Sequence, residues 1–237
     1  MTRKWTPWFV AAVAALVVSG CRGGTPTAEL SPPATKEEQS DQNGALFSRE
    51  DLPDLALSEA TTPAGMIFQA EVAKYFTAEN GLFPELRERL SELGFAEGYQ
   101  TGLQAKGYTA EAPVQAPLGQ WYMTSSVGRY DNADGADSSM EYVKQQHENA
   151  AIPSIVGIRY TREKDLGDDG WLSRWTQRYD NGVTLPAVTF RWRIANMTHY
   201  LTVLGLPPGE NVKELDIGGL TELAVSLYKD NLELLGD

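Results

Sequence analysis

The residues best suited to do chemistry in this sequence are arginines that alternate with apolar residues in its last third. Arg191 and Arg193 alternate with Phe190, Trp192 and Ile194. In a β-strand, successive side chains point to opposite faces, so the two arginines share a face and the apolar residues take the other. A guanidinium group presents donors that match carboxylate and phosphate groups. The spacing therefore predicts a surface that binds an anionic group.

The same alternation extends this surface to neighbouring strands. If Asn196-Met197 is a two-residue turn, Tyr200 and Thr202 lie on the arginine side and His199 lies at the edge of the core. Burying Trp171, Trp175 and Tyr179 turns Arg174 and Arg178 outward, and burying the alternate residues of the strand at 155–163 turns Arg159 outward. The predicted ligand-binding residues are Arg159, Arg174, Arg178, Arg191, Arg193 and Tyr200. The alternative is a solvated sheet face whose arginines pair with the abundant acidic residues.

The two histidines give weaker evidence for an enzyme. His147 falls on the apolar line of a predicted helix, where a histidine is usually a core or boundary residue. His199 lies in a predicted strand, and the chain contains neither Gly-x-Ser-x-Gly nor His-Glu-x-x-His. A nucleophile and its base can still meet in space without a motif. A hydrolase is therefore the third hypothesis, and no catalytic residue is assigned.

An acidic loop at 130–141 is compared with the calcium loop of EF-hand proteins. Tyr130 stands where the first carboxylate of that loop is needed, and Asp137 occupies an apolar position. Helix initiation explains the loop better, with Asp131 or Asp134 as the N-cap. Turn chemistry likewise explains the cluster Asp165, Asp168 and Asp169. No metal site and no cofactor are predicted.

The N-terminus has the three parts of an export signal. Arg3-Lys4 is followed by an apolar run over 8–18 and by the only cysteine of the chain, Cys21. The stretch Val18-Ser19-Gly20-Cys21 resembles the lipobox of bacterial lipoproteins. This resemblance implies that residues 1–20 are a signal peptide and that Cys21 carries a diacylglyceryl group. A membrane-spanning anchor is the alternative, but it needs about 20 apolar residues.

Composition divides the rest into a tether and one domain. Residues 21–50 are rich in glycine, proline and polar residues, which favours a flexible tether over a docked N-terminal arm. Removing residues 1–20 changes the net charge from −12 to −14, because two basic residues and no acidic ones are lost. A domain with this much negative charge repels nucleic acid, which is therefore disfavoured as a partner. Membrane contact is expected through the lipid, on the extracytoplasmic face.

Residues 51–237 are predicted to form a single α+β domain. Leu55 and Leu57 read as a short strand. The predicted helices are 66–79, 83–93, 133–149 and 218–235, and the predicted strands are 95–108, 121–130, 155–163, 171–179, 187–194 and 198–205. This order indicates an antiparallel meander with helices packed on one face. It loosely resembles PsbP/Mog1-like domains and the extracellular sensor domains of some bacterial kinases, a likeness that implies no function.

Two classes of function follow from these features. The first is a binding or sensor module in the cell envelope that takes an anionic ligand or an acidic partner protein through the arginine surface. The second is a structural accessory protein of the envelope without a small ligand. A pocket would favour the first, and an exposed flat aromatic patch the second.

Overall fold

The computed structural model describes residues 46–109, 111–149 and 152–236. The predicted signal peptide, Cys21 and the tether up to residue 45 lie outside the described residues. Eight antiparallel strands form one sheet in the order β1-β3-β4-β8-β7-β6-β5, with β2 pairing beside β1 on the free edge of β3. The strands are β1 Met66–Phe68, β2 Lys74–Phe76, β3 Phe95–Ala105, β4 Gln120–Tyr130, β5 Ile155–Arg162, β6 Trp171–Arg178, β7 Thr184–Ile194 and β8 Met197–Gly205.

Five helices accompany the sheet within the described ranges. They are α1 Leu52–Leu55, α2 Ala78–Gly81, α3 Pro84–Glu92, α4 Ala133–Glu148 and α5 Ile217–Gly236. None of these helices is long and apolar enough to cross a lipid bilayer. The α+β class with an antiparallel sheet is confirmed.

The two faces of the sheet are covered by different helices. One, here called the packed face, carries Leu103, Met123, Val127, Phe190, Trp192, His199, Leu201 and Val203. Its apolar residues pack with buried residues of α1 and α5, such as Leu55 and Leu220. The other, here called the cavity face, carries Gln100, Thr124, Ser126, Ser173, Thr189, Arg191, Thr198, Tyr200 and Thr202. Helices α3 and α4 lie over it, so the prediction that all helices pack on one face is wrong.

Most long elements were predicted correctly, and the short ones were not. The predicted helix over 66–79 is two three-residue strands followed by a single helical turn. Its apolar residues have helical spacing, but Met66–Phe68 and Lys74–Phe76 pair with β3 instead. Leu55, predicted as a strand residue, ends helix α1. Long-range pairing decided these segments, because local preference is weak over so few residues.

The folded part begins before Asp51. Phe47 is buried, and its backbone N–H donates to Asn196 Oδ1 at 2.9 Å. Asn196 Nδ2 donates in turn to the carbonyl of Phe47 at 3.1 Å and to that of Tyr130 at 2.9 Å. Arg49 then pairs with Glu97 at 2.8 Å. Residues 46–50, predicted as the end of the tether, are therefore docked on the domain.

Candidate binding cavity

A cavity of about 180 Å³ lies between the cavity face and helices α3 and α4. Its floor is polar, and its roof is apolar. The floor residues are Gln100, Thr124, Ser126, Ser173, Thr189, Arg191, Thr198, Tyr200 and Thr202. The roof and walls include Phe76, Leu82, Phe83, Leu86, Leu90, Phe95, Val143, His147, Ile155, Ile158 and Trp175. A concave site with an apolar lining and a few convergent polar groups is the usual form of a small-molecule site.

The floor is built by strand register. Pairing aligns Thr124 with Thr202, Thr202 with Thr189, and Thr189 with Ser173. Directly paired residues share a face of the sheet, so these hydroxyls form a row beneath the roof. Thr189 Oγ1 lies 3.0 Å from Thr202 Oγ1 and accepts from Trp175 Nε1 at 3.1 Å. The row is thus a fixed polar strip across four strands.

The roof depends on close packing around Phe76. Its ring lies where side chains at Gly81 and Gly98 would be, since a Cβ added at either glycine would overlap with atoms of the ring. The ring stacks on Phe95 with the centroids 6.0 Å apart. Leu86 contributes from α3, where it is buried at helical spacing with Leu90. The two glycines therefore let an aromatic wedge close one end of the cavity.

Among the described residues, Arg191 is the only arginine that lines the cavity, and it is 2 % exposed. Its Nη1 donates to Tyr160 Oη at 3.3 Å, and its guanidinium carbon lies 4.6 Å from the centre of the Tyr200 ring. Its Nη2 has no hydrogen-bond partner in the described residues. No carboxylate of the described residues lies within 4.0 Å of it. A buried cation in this state is expensive, because no acid of the described residues compensates its charge.

His147 and Tyr160 sit beside Arg191 as neutral groups. Burial, with a smaller effect of the Arg191 charge, lowers the pKa of His147 to about 3. Burial raises the pKa of Tyr160 to about 12. The phenol is therefore protonated at neutral pH, and its Oη lies within hydrogen-bond distance of His147 Nδ1, 2.6 Å away. These neighbours orient the guanidinium but do not neutralise it.

Arg193 differs from Arg191 in having acidic partners. Both lie on the cavity face of β7, where Arg191 pairs with Tyr200 and Arg193 pairs with Thr198. Arg193 donates from Nε and Nη2 to Asp169 Oδ2 at 3.2 Å and 3.0 Å, and its Nε is 3.6 Å from Asp137. Arg193 is therefore already occupied within the chain.

The structure separates the six predicted binding residues. Arg191, Arg193 and Tyr200 share the cavity face, as predicted. Arg174 pairs with Val188 and Arg159 pairs with Arg174, which places both on the packed-face side, where they are exposed. Arg178 lies an even number of positions after Arg174 in β6, so it lies on the same side of the sheet. The prediction of one surface with five arginines is wrong.

The error arose in β6. Trp171 lies opposite Arg191, and Trp175 lines the cavity, so the tryptophans are on the arginine side. The β7–β8 register also differs from the prediction: Ile194 pairs with Met197, and the turn is Ala195-Asn196, with Ala195 at φ 49°. A shift of two residues preserves the faces, so the assignment of Arg191 survived. His199, predicted at the edge of the core, is fully buried opposite Trp192.

A serine, a histidine and an asparagine meet on the packed face, as in a hydrolytic triad. Ser125 Oγ is 2.8 Å from His199 Nε2. With its amide oriented to match its neighbours, Asn231 Oδ1 accepts from His199 Nδ1 at 3.0 Å and its nitrogen donates to the carbonyls of Leu55 and Leu227. Ser125 also accepts from the backbone of Leu57 at 3.2 Å. All three side chains are buried and none lines the cavity, so the network ties α1 and α5 to the sheet.

The acidic loops have structural partners. Asn132 caps helix α4, accepting from the Gly135 backbone at 2.8 Å, in place of the predicted Asp131 or Asp134. Asp169 binds Arg193, and Glu141 lies 3.8 Å from Lys144. Over the described ranges, no three His, Cys, Asp or Glu side chains are grouped as a metal site would require. Sequence reasoning missed the cavity itself and the roles of Tyr160 and Trp175, for which the sequence carries no local signal.

The domain is thus an α+β fold that contains a cavity between its sheet and two of its helices. No protein-family model matches the chain, and no curated protein matches it. Among solved structures, it is similar to the extracellular domain of PknH from Mycobacterium tuberculosis, with 10 % sequence identity and a TM-score of 0.48. The match covers 79 % of this chain and 99 % of that chain. At this level of similarity it carries no information about a ligand.

Proposed function

We propose that this chain is a lipid-anchored protein of the bacterial envelope whose domain binds a small molecule in the cavity. The single observation that carries the binding role is the buried, unneutralised Arg191 in the lining of that cavity. Polar groups that serve only the fold are normally satisfied within the chain. An open donor beside space for a ligand is the arrangement expected of a binding site.

The size of the cavity suits a small ligand. An apolar cavity of about 150 Å³ is enough to hold benzene. The cavity here is about 180 Å³, and its polar groups other than His147 lie on the floor. This arrangement favours a binding module over an accessory protein without a ligand. The large apolar side chains exposed in the described residues, Leu46, Ile67, Tyr75, Leu232 and Leu234, include a single aromatic one.

The location is proposed from the sequence. The lipobox-type stretch ending at Cys21 supports export and lipidation, and the acidic composition supports a body held away from anionic headgroups. Mass spectrometry of the native protein should show a lipid-modified chain that begins at Cys21. Cys21→Ala should abolish both the modification and the processing. A mature chain that begins elsewhere would contradict this part of the proposal.

The binding role can be tested with a neutral probe, 4-fluorobenzyl alcohol, observed by ¹⁹F NMR with the full chain. Thr202→Phe fills the cavity from the centre of its floor. Thr161→Phe is the matched control, because Thr161 is exposed and pairs with Leu172, on the other side of the sheet. We expect saturable binding to the unmodified protein and the control, and none to Thr202→Phe.

Folding must be checked in the same samples by thermal melting. Ser126→Leu, a milder filling change on β4, should weaken binding if Thr202→Phe fails to fold. Binding that is unaffected by both filling changes would place the probe elsewhere. Absence of saturable binding both by 4-fluorobenzyl alcohol and by the anion 4-fluorophenylacetate would remove the proposal.

A further inference from the structure

We infer that the ligand is a small monocarboxylate with an apolar or aromatic body, and that Arg191 pairs with its carboxylate. This inference rests on the proposed function and adds the chemical class of the ligand. It depends on three features of the cavity: one open cation, neutral neighbours around it, and an apolar roof of limited volume.

The first feature is the open cation. Arg191 directs Nη1 at Tyr160, while Nη2 is buried without a partner in the described part of the chain. Arg193, two residues away, is satisfied by Asp169. The acids of the described residues thus neutralise Arg193 and leave Arg191, which lines the cavity, open. A ligand that supplies the missing anion removes the cost of burying that charge.

The second feature sets the charge of the ligand. Tyr160 and His147 are the titratable groups beside the guanidinium on β5 and α4, and both are neutral at pH 7. Tyr200, on β8, stacks its ring on the guanidinium. Lys144, on α4, is the other nearby cation, and it pairs with Glu141 and Glu148 at 3.8 Å and 3.4 Å. One uncompensated positive charge matches a monoanion, whereas a phosphate monoester would leave a second charge buried.

The third feature sets the body of the ligand. The roof above the hydroxyl row consists of leucine, phenylalanine and valine side chains from α3, α4 and the segment before α3. A volume of about 180 Å³ exceeds the roughly 150 Å³ that holds benzene by about one water volume. A volume this small limits the body of the ligand to a single ring or a short chain. Phenylacetate and short fatty acids therefore represent the ligand class.

The orientation follows from the two sides of the cavity. Arg191 and the hydroxyls of Thr189 and Thr202 lie on the floor, so the carboxylate should face the sheet. The apolar body should face Leu86 and Val143 on the helices. Trp175 lines the cavity from β6 with its Nε1 held by Thr189, which leaves its ring to pack against the ligand.

The test compares three probes of similar shape by ¹⁹F NMR titration of the full chain. They are 4-fluorophenylacetate, its neutral amide and 4-fluorophenyl phosphate. We expect the carboxylate to bind at least tenfold more tightly than the amide and the phosphate. Arg191→Gln should abolish this preference. Arg191→Lys keeps the charge but loses the planar guanidinium group, so this variant should retain part of the preference. Arg193→Gln is the control and should leave it unchanged.

Each other outcome has a definite meaning. If the amide binds as tightly as the carboxylate, this inference is wrong and the cavity still binds small molecules as proposed. If the phosphate binds best, the class of anion is wrong. If no probe binds saturably, both the inference and the proposed function fail. Melting curves of the Arg191 variants identify any loss of binding that is due to unfolding.

Discussion

A histidine on the packed face and an arginine on the cavity face are buried in two different ways. On the packed face, both ring nitrogens of His199 have partners, Ser125 and Asn231, and the surrounding residues are apolar. On the cavity face, Arg191 is equally buried and keeps one donor open beside a cavity. The satisfied histidine fixes the positions of helices, whereas the open arginine is available to a ligand. The comparison teaches that burial alone does not identify a site.

A second comparison, between two arginines of β7, shows how acidic partners distinguish residues of the same type. Arg191 and Arg193 have the same residue type, the same strand and the same face. Asp169 and Asp137 reach Arg193 and not Arg191. The difference lies in the surrounding elements, because both aspartates lie outside the hairpin that carries the arginines. Changes at the two positions should therefore have different consequences.

The largest difference between the faces should be seen in neighbouring residues of β8. Leu201 is fully buried on the packed face, and Thr202 is half-buried on the cavity face. Leu201→Ala should lower the free energy of unfolding by about 2–5 kcal/mol, through lost burial and a residual cavity. Thr202→Val should change it by less than about 1 kcal/mol. Chemical denaturation measures both, and equal costs would contradict the division of the sheet into a packed and a cavity face.

The polar network on the packed face should come next in size. Asn231→Ala removes the acceptor for His199 Nδ1–H and should cost about 1–3 kcal/mol, since a buried donor is left unpaired. The double variant with Ser125→Ala should cost less than the sum of the single changes, because the residues form one network. Additive losses, measured by denaturation, would show that the three side chains act independently.

Acidification should destabilise the domain through its histidines. Burial lowers the pKa of His147 and of His199 to about 3, well below the usual value of 6.5. Between pH 6.5 and 5 the unfolded chain binds protons that the folded chain does not, so stability is full above this window and falls as pH decreases. The loss should be on the order of 1 kcal/mol per pH unit for each histidine.

The contribution of each face can be separated in the same experiment. His147→Gln removes the histidine of the cavity face and leaves the packed-face network intact. The slope of unfolding free energy against pH between 6.5 and 5 should then fall by about half. A slope that does not change would show that His147 is not held neutral by the fold.

The open arginine should stabilise nothing in the absence of a ligand. Arg191→Met replaces a buried, uncompensated charge by an apolar side chain and should raise the free energy of unfolding by about 1 kcal/mol. Arg193→Met removes a partly exposed ion pair and should lower it by about 0–1 kcal/mol. Changes in stability of opposite sign, measured by thermal melting, would support this difference between Arg191 and Arg193. A loss of stability in Arg191→Met larger than in Arg193→Met would contradict it.

The smallest expected effect concerns the exposed arginines on the other side of the sheet. Arg159 and Arg174 are directly opposite each other on β5 and β6, and neither has an ion pair in the described residues. Arg174→Gln removes a like-charge contact and should raise the free energy of unfolding by about 0.2–1 kcal/mol. The gain should disappear at high salt, where screening weakens the repulsion. A loss of stability at low salt would reveal a contact that the pairing does not explain.

Sequence reasoning succeeded where one hairpin supplied all the information. Arg191 and Tyr200 were assigned to one face because alternation relates residues within each strand, and even a two-residue error in the turn left that relation intact. It failed for Arg174, because the face of β6 was inferred from its tryptophans. Both faces of this sheet are covered by helices, so aromatic residues occur on both faces. Alternation alone therefore cannot tell which face a given tryptophan occupies.

What the sequence by itself determined is the local periodicity: the long helices at 84–92, 133–148 and 217–236, the long strands, and the side of β7 on which Arg191 lies. These follow from backbone geometry, which repeats every 3.6 residues in helices and every two in strands. Only the tertiary structure decided that Arg193 meets Asp169 and Asp137 while Arg191 meets a cavity. The physical reason is that ion pairing and enclosed volume depend on segments that are distant in the chain, and no local pattern encodes their register.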